Sequence, residues 1–123
     1  MRKSCIECVR KHLGDAVVLL DEVFMGYPEH SILAEGNLSQ AASEAVREFP
    51  QLAIKLRDIR KDCFKAYSAW RTGSDMDTVK TMMPDVTDIL KTVDELCVAE
   101  WLNEKHKADV VEVKAKSKAV SSR

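Results

Sequence analysis

Ile6, Val9, Leu13, Val17, Leu20 and Phe24 recur at three- and four-residue steps, the period of a helix with one apolar face. The same spacing returns in Leu52, Leu56, Ile59, Cys63 and Trp70, and again in Val86, Ile89, Leu90, Val93, Leu96, Cys97 and Trp101. Between these lies a slimmer stripe of Ile32, Leu38, Ala42, Ala45 and Phe49, with Ala34, Gly36 and Ala41 around it. The breaks are equally clear: Gly26 then Pro28, Pro50, and Thr72-Gly73-Ser74-Asp75. The predicted helices cover 5–25, 28–49, 50–71 and 86–104, with one helical turn near 79–83 before a kink at Pro84. Short connections make successive helices antiparallel, so the expected fold is all-α, an up-down four-helix bundle. No βαβ pattern and no internal repeat is present.

A chain of 123 residues makes one domain with a core of its own. The bundle is expected over 1–104. Residues 105–123 hold six Lys or Arg against two acids and read as a basic tail, a frayed helix or flexible segment, with a short strand near 111–115 as the other option. A net charge of −1 gives no field toward nucleic acid or membrane. No apolar run approaches the roughly 18–20 residues of a membrane span. Thiols without an export signal point to a cytoplasmic setting.

Ser4 followed by Glu7 reads as a capping box that starts the first helix at Cys5. Cys5, Cys8 and His12 then fall within roughly 60° of one another around the axis, at about 100° per residue. Such a seam serves one of three ends. Cys behaves as a small hydrophobe, so the stripe could be core packing. It could also hold zinc, which takes thiolate and imidazole in tetrahedral sets. Counting about 1.5 Å per residue down the first and last helices brings Cys97 level with Cys5 and Cys8, giving a Cys5/Cys8/His12/Cys97 site and leaving Cys63 too far away. Third, Cys5 at a helix start suits a thiolate nucleophile, with Cys8 to resolve it and His12 to carry the proton.

Cys5-x-x-Cys8-x-x-x-His12 is similar to the signature of the all-helical alkylhydroperoxidase D and carboxymuconolactone decarboxylase-like families. That resemblance, over about eight residues, implies thiol–disulfide chemistry. Those families add a glutamate from a preceding helix, and only Met1 to Ser4 stand upstream here. A broader resemblance spans about residues 5–60. Gly26-Tyr27-Pro28-Glu29-His30, Ala34-x-Gly36-Asn37-Leu38, Ala41 and Glu44 resemble small phage-encoded and bacterial proteins reading C-x-x-C-x-x-x-H, G-Y-P-x-H and A-x-G-H-L-x-x-A. Asn37 stands where their pattern has histidine. This second resemblance implies a phage-type accessory protein in the host cytoplasm.

Tyr27, His30, Trp70 and Arg71 are expected to meet at one end of the bundle, where aromatic and cationic groups could stack a base or hold a phosphate. Arg57, Arg60, Lys61 and Lys65 run among Asp58 and Asp62 as a solvated, salt-bridged face. Met82, Met83 and Trp101 are candidates for exposed surface that drives self-association. The preferred reading is a binding protein for a host protein or a small nucleotide, homo-oligomeric, with a structural zinc site. The alternative is a thiol–disulfide or peroxide redox enzyme.

Overall fold

A computed structural model describes the backbone of residues 4–121 and the side chains of residues 4–105. The described chain is all-helical: α1 Ile6–Phe24, α2 His30–Ala45, α3 Pro50–Arg71, α4 Met76–Met82 and α5 Thr87–Ser121. α1 packs on α2 and α5, α2 on α3, α3 on α4, and more sparsely α3 on α5. The sequence reading gave the 79–83 region one helical turn; it is a separate helix, with Asp75 accepting from the Thr78 N–H as its N-cap. The final helix opens at Thr87 and its backbone continues to Ser121, so no strand forms near 111–115. No helix among the described residues is long and apolar enough to cross a membrane.

The core follows the apolar period. Val9, Leu13, Ala16 and Leu20 of α1 meet Ala34, Leu38, Ala41, Ala42 and Ala45 of α2. Leu52, Ala53, Leu56 and Cys63 come from α3, and Ile89 and Val93 from α5. Alanine loses almost no side-chain entropy in a helix, and four of them let α2 lie close to both neighbours. Leu38, fully buried, is the one large side chain in that contact. A smaller cluster closes the other end, where Val23, Ala66 and Val79 are buried beneath Trp70, Met82 and Met83. The two methionines are therefore partly buried packing rather than the exposed adhesive surface expected of them. Trp101 is 58% exposed.

Two turns need a glycine. Gly26 (φ 112°) and Gly73 (φ 100°) occupy the left-handed region that follows α1 and α3. The α2–α3 corner differs from expectation: helix stops at Ala45, and Phe49 turns inward against the core before Pro50 opens α3. A second difference concerns the start of α1. Ser4 is buried, and its hydroxyl accepts from the Glu48 N–H at 3.0 Å, tying the chain's front to that corner. Cys5, not Ser4, is the N-cap.

Gly36, one of the small residues set around the α2 stripe, does not face a neighbouring helix. It is exposed instead, and a Cβ built there meets nothing within 4 Å. Gly36→Ala should therefore raise unfolding free energy by about 0.5–1 kcal/mol in urea titration. Gly14→Ala should yield less. Its Cβ would press on the Arg10 guanidinium, which reaches over Gly14 to pair with Asp94 of α5.

Candidate functional site

Cys5 has extended backbone (φ −97°, ψ 96°), so its side chain folds over the open end of α1. There Sγ accepts from the Cys8 N–H at 3.2 Å, satisfying one of the amides that the first helical turn leaves without a partner. Three residues on, Cys8 presents its own sulfur on the same side. The two Cα atoms lie 5.1 Å apart and the sulfurs are joined as a disulfide, within the usual range of such bonds. Both cysteines are partly exposed. Of the four thiols expected from the sequence, Cys63 and Cys97 are free.

The residue count placed Cys97 level with this pair, and α5 does bring it there. Its thiol donates to the Ile6 carbonyl, with 3.8 Å between the atoms. Burial raises its pKa, and the nearby charges of Asp94 and Glu7 push the same way while Arg10 opposes them. It therefore sits as a neutral thiol bonded to the backbone. His12 lies one turn past Cys8, partly buried, with Nδ1 enclosed and without a hydrogen-bond partner among the described residues. Among the described residues no group of three or more His, Cys, Asp or Glu side chains is gathered as a metal would require. With their sulfurs bonded to one another, Cys5 and Cys8 offer no thiolate to an ion in this state.

Cys63 is apart from all of this, fully buried between α2 and α3 in the core. Burial pushes its pKa up to about 12, helped by the charges of Asp62 and Glu35.

The other expected site residues divide into two groups. Tyr27 and His30 form a stacked pair with centroids 5.4 Å apart. The His30 Nδ1 pairs with the Glu22 carboxylate, which fixes the corner from the α1 side. The Ser31 hydroxyl, donating to the Pro28 carbonyl at 2.7 Å, fixes it from the α2 side. Tyr27 is half-exposed. Trp70, by contrast, covers the Val23/Ala66/Val79 cluster and tilts against Tyr67 at 5.9 Å. Arg71 is exposed beside it. Among the described residues no hydrogen bond, ion pair or ring contact joins Tyr27 and His30 to Trp70 and Arg71.

One feature of the surface was misread from the sequence. Arg60 pairs with Glu35 of α2 at 3.0 Å, but Lys61 and Lys65 form no ion pair with Asp58 or Asp62. They line a cleft between α2 and α3 instead, with Phe64 half-exposed between them. The spacing Lys61-x-x-Phe64-Lys65 was the available signal, since those three positions share one helical face.

The thiols should separate cleanly by reactivity. As the structure stands, Ellman's reagent should titrate only Cys97 in the native protein, two further thiols after reduction, and Cys63 only on unfolding. Below pH 9 Cys63 is a neutral thiol in both folded and unfolded chains. Between pH 9 and about 12 only the unfolded chain releases the proton, so stability falls as pH rises through that window. Cys63→Ala should remove that part of the alkaline loss, measured as the difference from the parent protein in urea titrations. Comparison with protein-family models, curated proteins and solved structures finds no match to this chain.

Proposed function

We propose that the protein works through the Cys5–Cys8 pair, exchanging it between dithiol and disulfide against a thiol-bearing partner. The observation that carries this reading is the capping geometry. The Cys5 sulfur occupies the N-cap of a 19-residue helix, receives the Cys8 N–H and bonds the Cys8 sulfur. A thiolate at that place meets the positive end of the helix dipole and a backbone donor, both of which stabilise it.

The step balances without further cofactors. In the reduced protein the Cys5 thiolate attacks one sulfur of a partner disulfide, forming a mixed disulfide and releasing the first partner thiolate. The Cys8 thiolate then attacks the Cys5 sulfur, closing the internal disulfide and releasing the second. Two electrons pass from protein to partner, and the partner leaves as two thiols. His12, one turn on with a free Nδ1, is assigned to carry the proton from Cys8. The α1, α2, α3 and α5 helices serve as an up-down bundle that holds the pair at its end, with α4 inserted in the α3–α5 connection.

In a Cys97→Ser background, Cys8→Ser should trap a mixed disulfide with glutathione or with a small aromatic disulfide, detected by intact mass and placed on Cys5 by peptide mapping, while Cys5→Ser should trap far less. The reduced parent should reach a reversible two-electron equilibrium with a dithiothreitol buffer. If reduction yields instead one zinc per chain, lost on Cys97→Ser, the four residues Cys5, Cys8, His12 and Cys97 form the structural metal site and the redox reading fails.

A second reading is favoured by α5, whose Val98, Trp101 and Leu102 are each more than half exposed. On that reading the chain is a phage-type accessory protein that presents this helix to a host protein or to a second copy of itself.

A further inference from the structure

The cleft between α2 and α3 holds about 420 Å³ and is lined by Ile32, Glu35, Arg60, Lys61, Phe64 and Lys65, a size within the range of small-ligand sites. We propose that it binds a nucleoside phosphate, with the base on Phe64 and the phosphates on Lys61 and Lys65. This is independent of the thiol chemistry and of the Tyr27–His30 corner.

Three observations converge on it. First, the charges in the cleft do not balance. Arg60 is neutralised by Glu35, whereas Lys61 and Lys65 have no carboxylate partner among the described residues, although Asp58 and Asp62 lie within one turn of them on the same helix. The two ammonium groups leave the helix about one turn apart, roughly 5–6 Å, a span that a di- or triphosphate can bridge. A nucleobase or a neutral peptide alone would leave them unanswered.

Second, Phe64 is 53% exposed, although the core offers aromatic and aliphatic company one residue away at Cys63. It lies one turn from Lys61 and next to Lys65 on the helix, so a base stacked on its face places a linked phosphate within reach of both. Base–aromatic stacking tolerates any base. The Glu35 carboxylate, largely buried on the inner wall and bonded to Arg60, keeps lone pairs that can accept from an exocyclic amine.

Third, the opposite wall carries an unexplained cost. Gly36 lies one turn after Ile32, outside the lining of the cleft but at its rim on α2. A mid-helix glycine is destabilising, and here nothing among the described residues crowds the place its Cβ would take. An occupant of the cleft mouth explains the missing side chain.

The test is a two-dimensional NMR titration of the full chain with ATP, alongside AMP, adenosine and inorganic triphosphate, with affinities from calorimetry. ATP should shift the amides of Ile32, Glu35, Gly36, Lys61 and Phe64, and bind more tightly than adenosine or triphosphate alone. Phe64→Ala should weaken it about tenfold, from the stacking it removes. The Lys61→Gln/Lys65→Gln double variant should weaken ATP by more than it weakens adenosine. All three residues are exposed, so circular dichroism should confirm unchanged helix content. Gly36→Gln, with the stability of a better helix former, should also weaken ATP. The proposal is overturned by the absence of shifts at millimolar ATP, by shifts confined to Tyr27, His30 and Trp70, or by triphosphate binding as tightly as ATP. Preferential capture of an acidic helical peptide by the same lysines overturns it as well.

Discussion

The contact on which the rest depends is the alanine face of α2. Ala34, Ala41, Ala42 and Ala45 are buried almost completely, and without their small size α2 could not touch α1 and α3 together. Leu38 fills the space they leave, and truncating a buried leucine typically costs about 2–5 kcal/mol. That is a large share of the roughly 5–15 kcal/mol by which a domain is stable. Because the seam is narrow, everything attached to α2 is held at short range. Its C-terminal corner receives the Ser4 hydroxyl through Glu48, and its outward side forms one wall of the cleft with Arg60, Lys61 and Phe64.

The start of α1 is thus braced from two sides. Ser4 binds the α2–α3 corner, and Cys97 of α5 donates to the Ile6 carbonyl. Arg10, one turn further, pairs with Asp94 of the same helix. An exposed pair of that kind contributes little by itself, but together these contacts fix the axis of α1 on which the Cys5–Cys8 pair sits. A dithiol that must exchange partners needs its sulfurs exposed and its backbone still. Here both cysteines are partly exposed at the start of a helix that is braced on two sides.

Much of this was legible in the sequence because it is periodic. The apolar faces of α1, α3 and α5, the breaks at Gly26, Pro50 and Gly73, and the level of Cys97 all follow from counting at 3.6 residues per turn and about 1.5 Å per residue. What escaped depended on partners far away in the chain. Ser4 and Glu7 satisfy the capping-box pattern, yet the Ser4 hydroxyl found the Glu48 N–H, 44 positions away. That left the capping position to Cys5. Asp58 and Asp62 have the spacing for salt bridges with Lys61 and Lys65, yet those pairs do not form, and Arg60 looked across to α2 instead. Met82 and Met83 were read as surface because α4 was not recognised as an element; once Val79 is buried against Val23 and Ala66, they lie over it. Trp70 went to the same cluster, so the end of α3 closes a core where the sequence also allowed a ligand.

α3 shows how the two functional readings can coexist in so small a protein. Leu56, Cys63 and Ala66 face inward and are fully buried, while Lys61, Phe64 and Lys65 are exposed on the opposite side of the same turns. An α-helix separates the two faces by its own diameter, about 10 Å with side chains, so an anion bound outside leaves the packing inside untouched. Cys63, held neutral in that interior, takes no part in thiol exchange. The proposed thiol exchange would then lie at the braced end at Cys5 and Cys8, and the proposed anion recognition in the middle of the α2–α3 face. The alanine seam joins these places structurally. Neither place shares a side chain with the other, so substitutions in the cleft test the proposed binding without touching the cysteine pair.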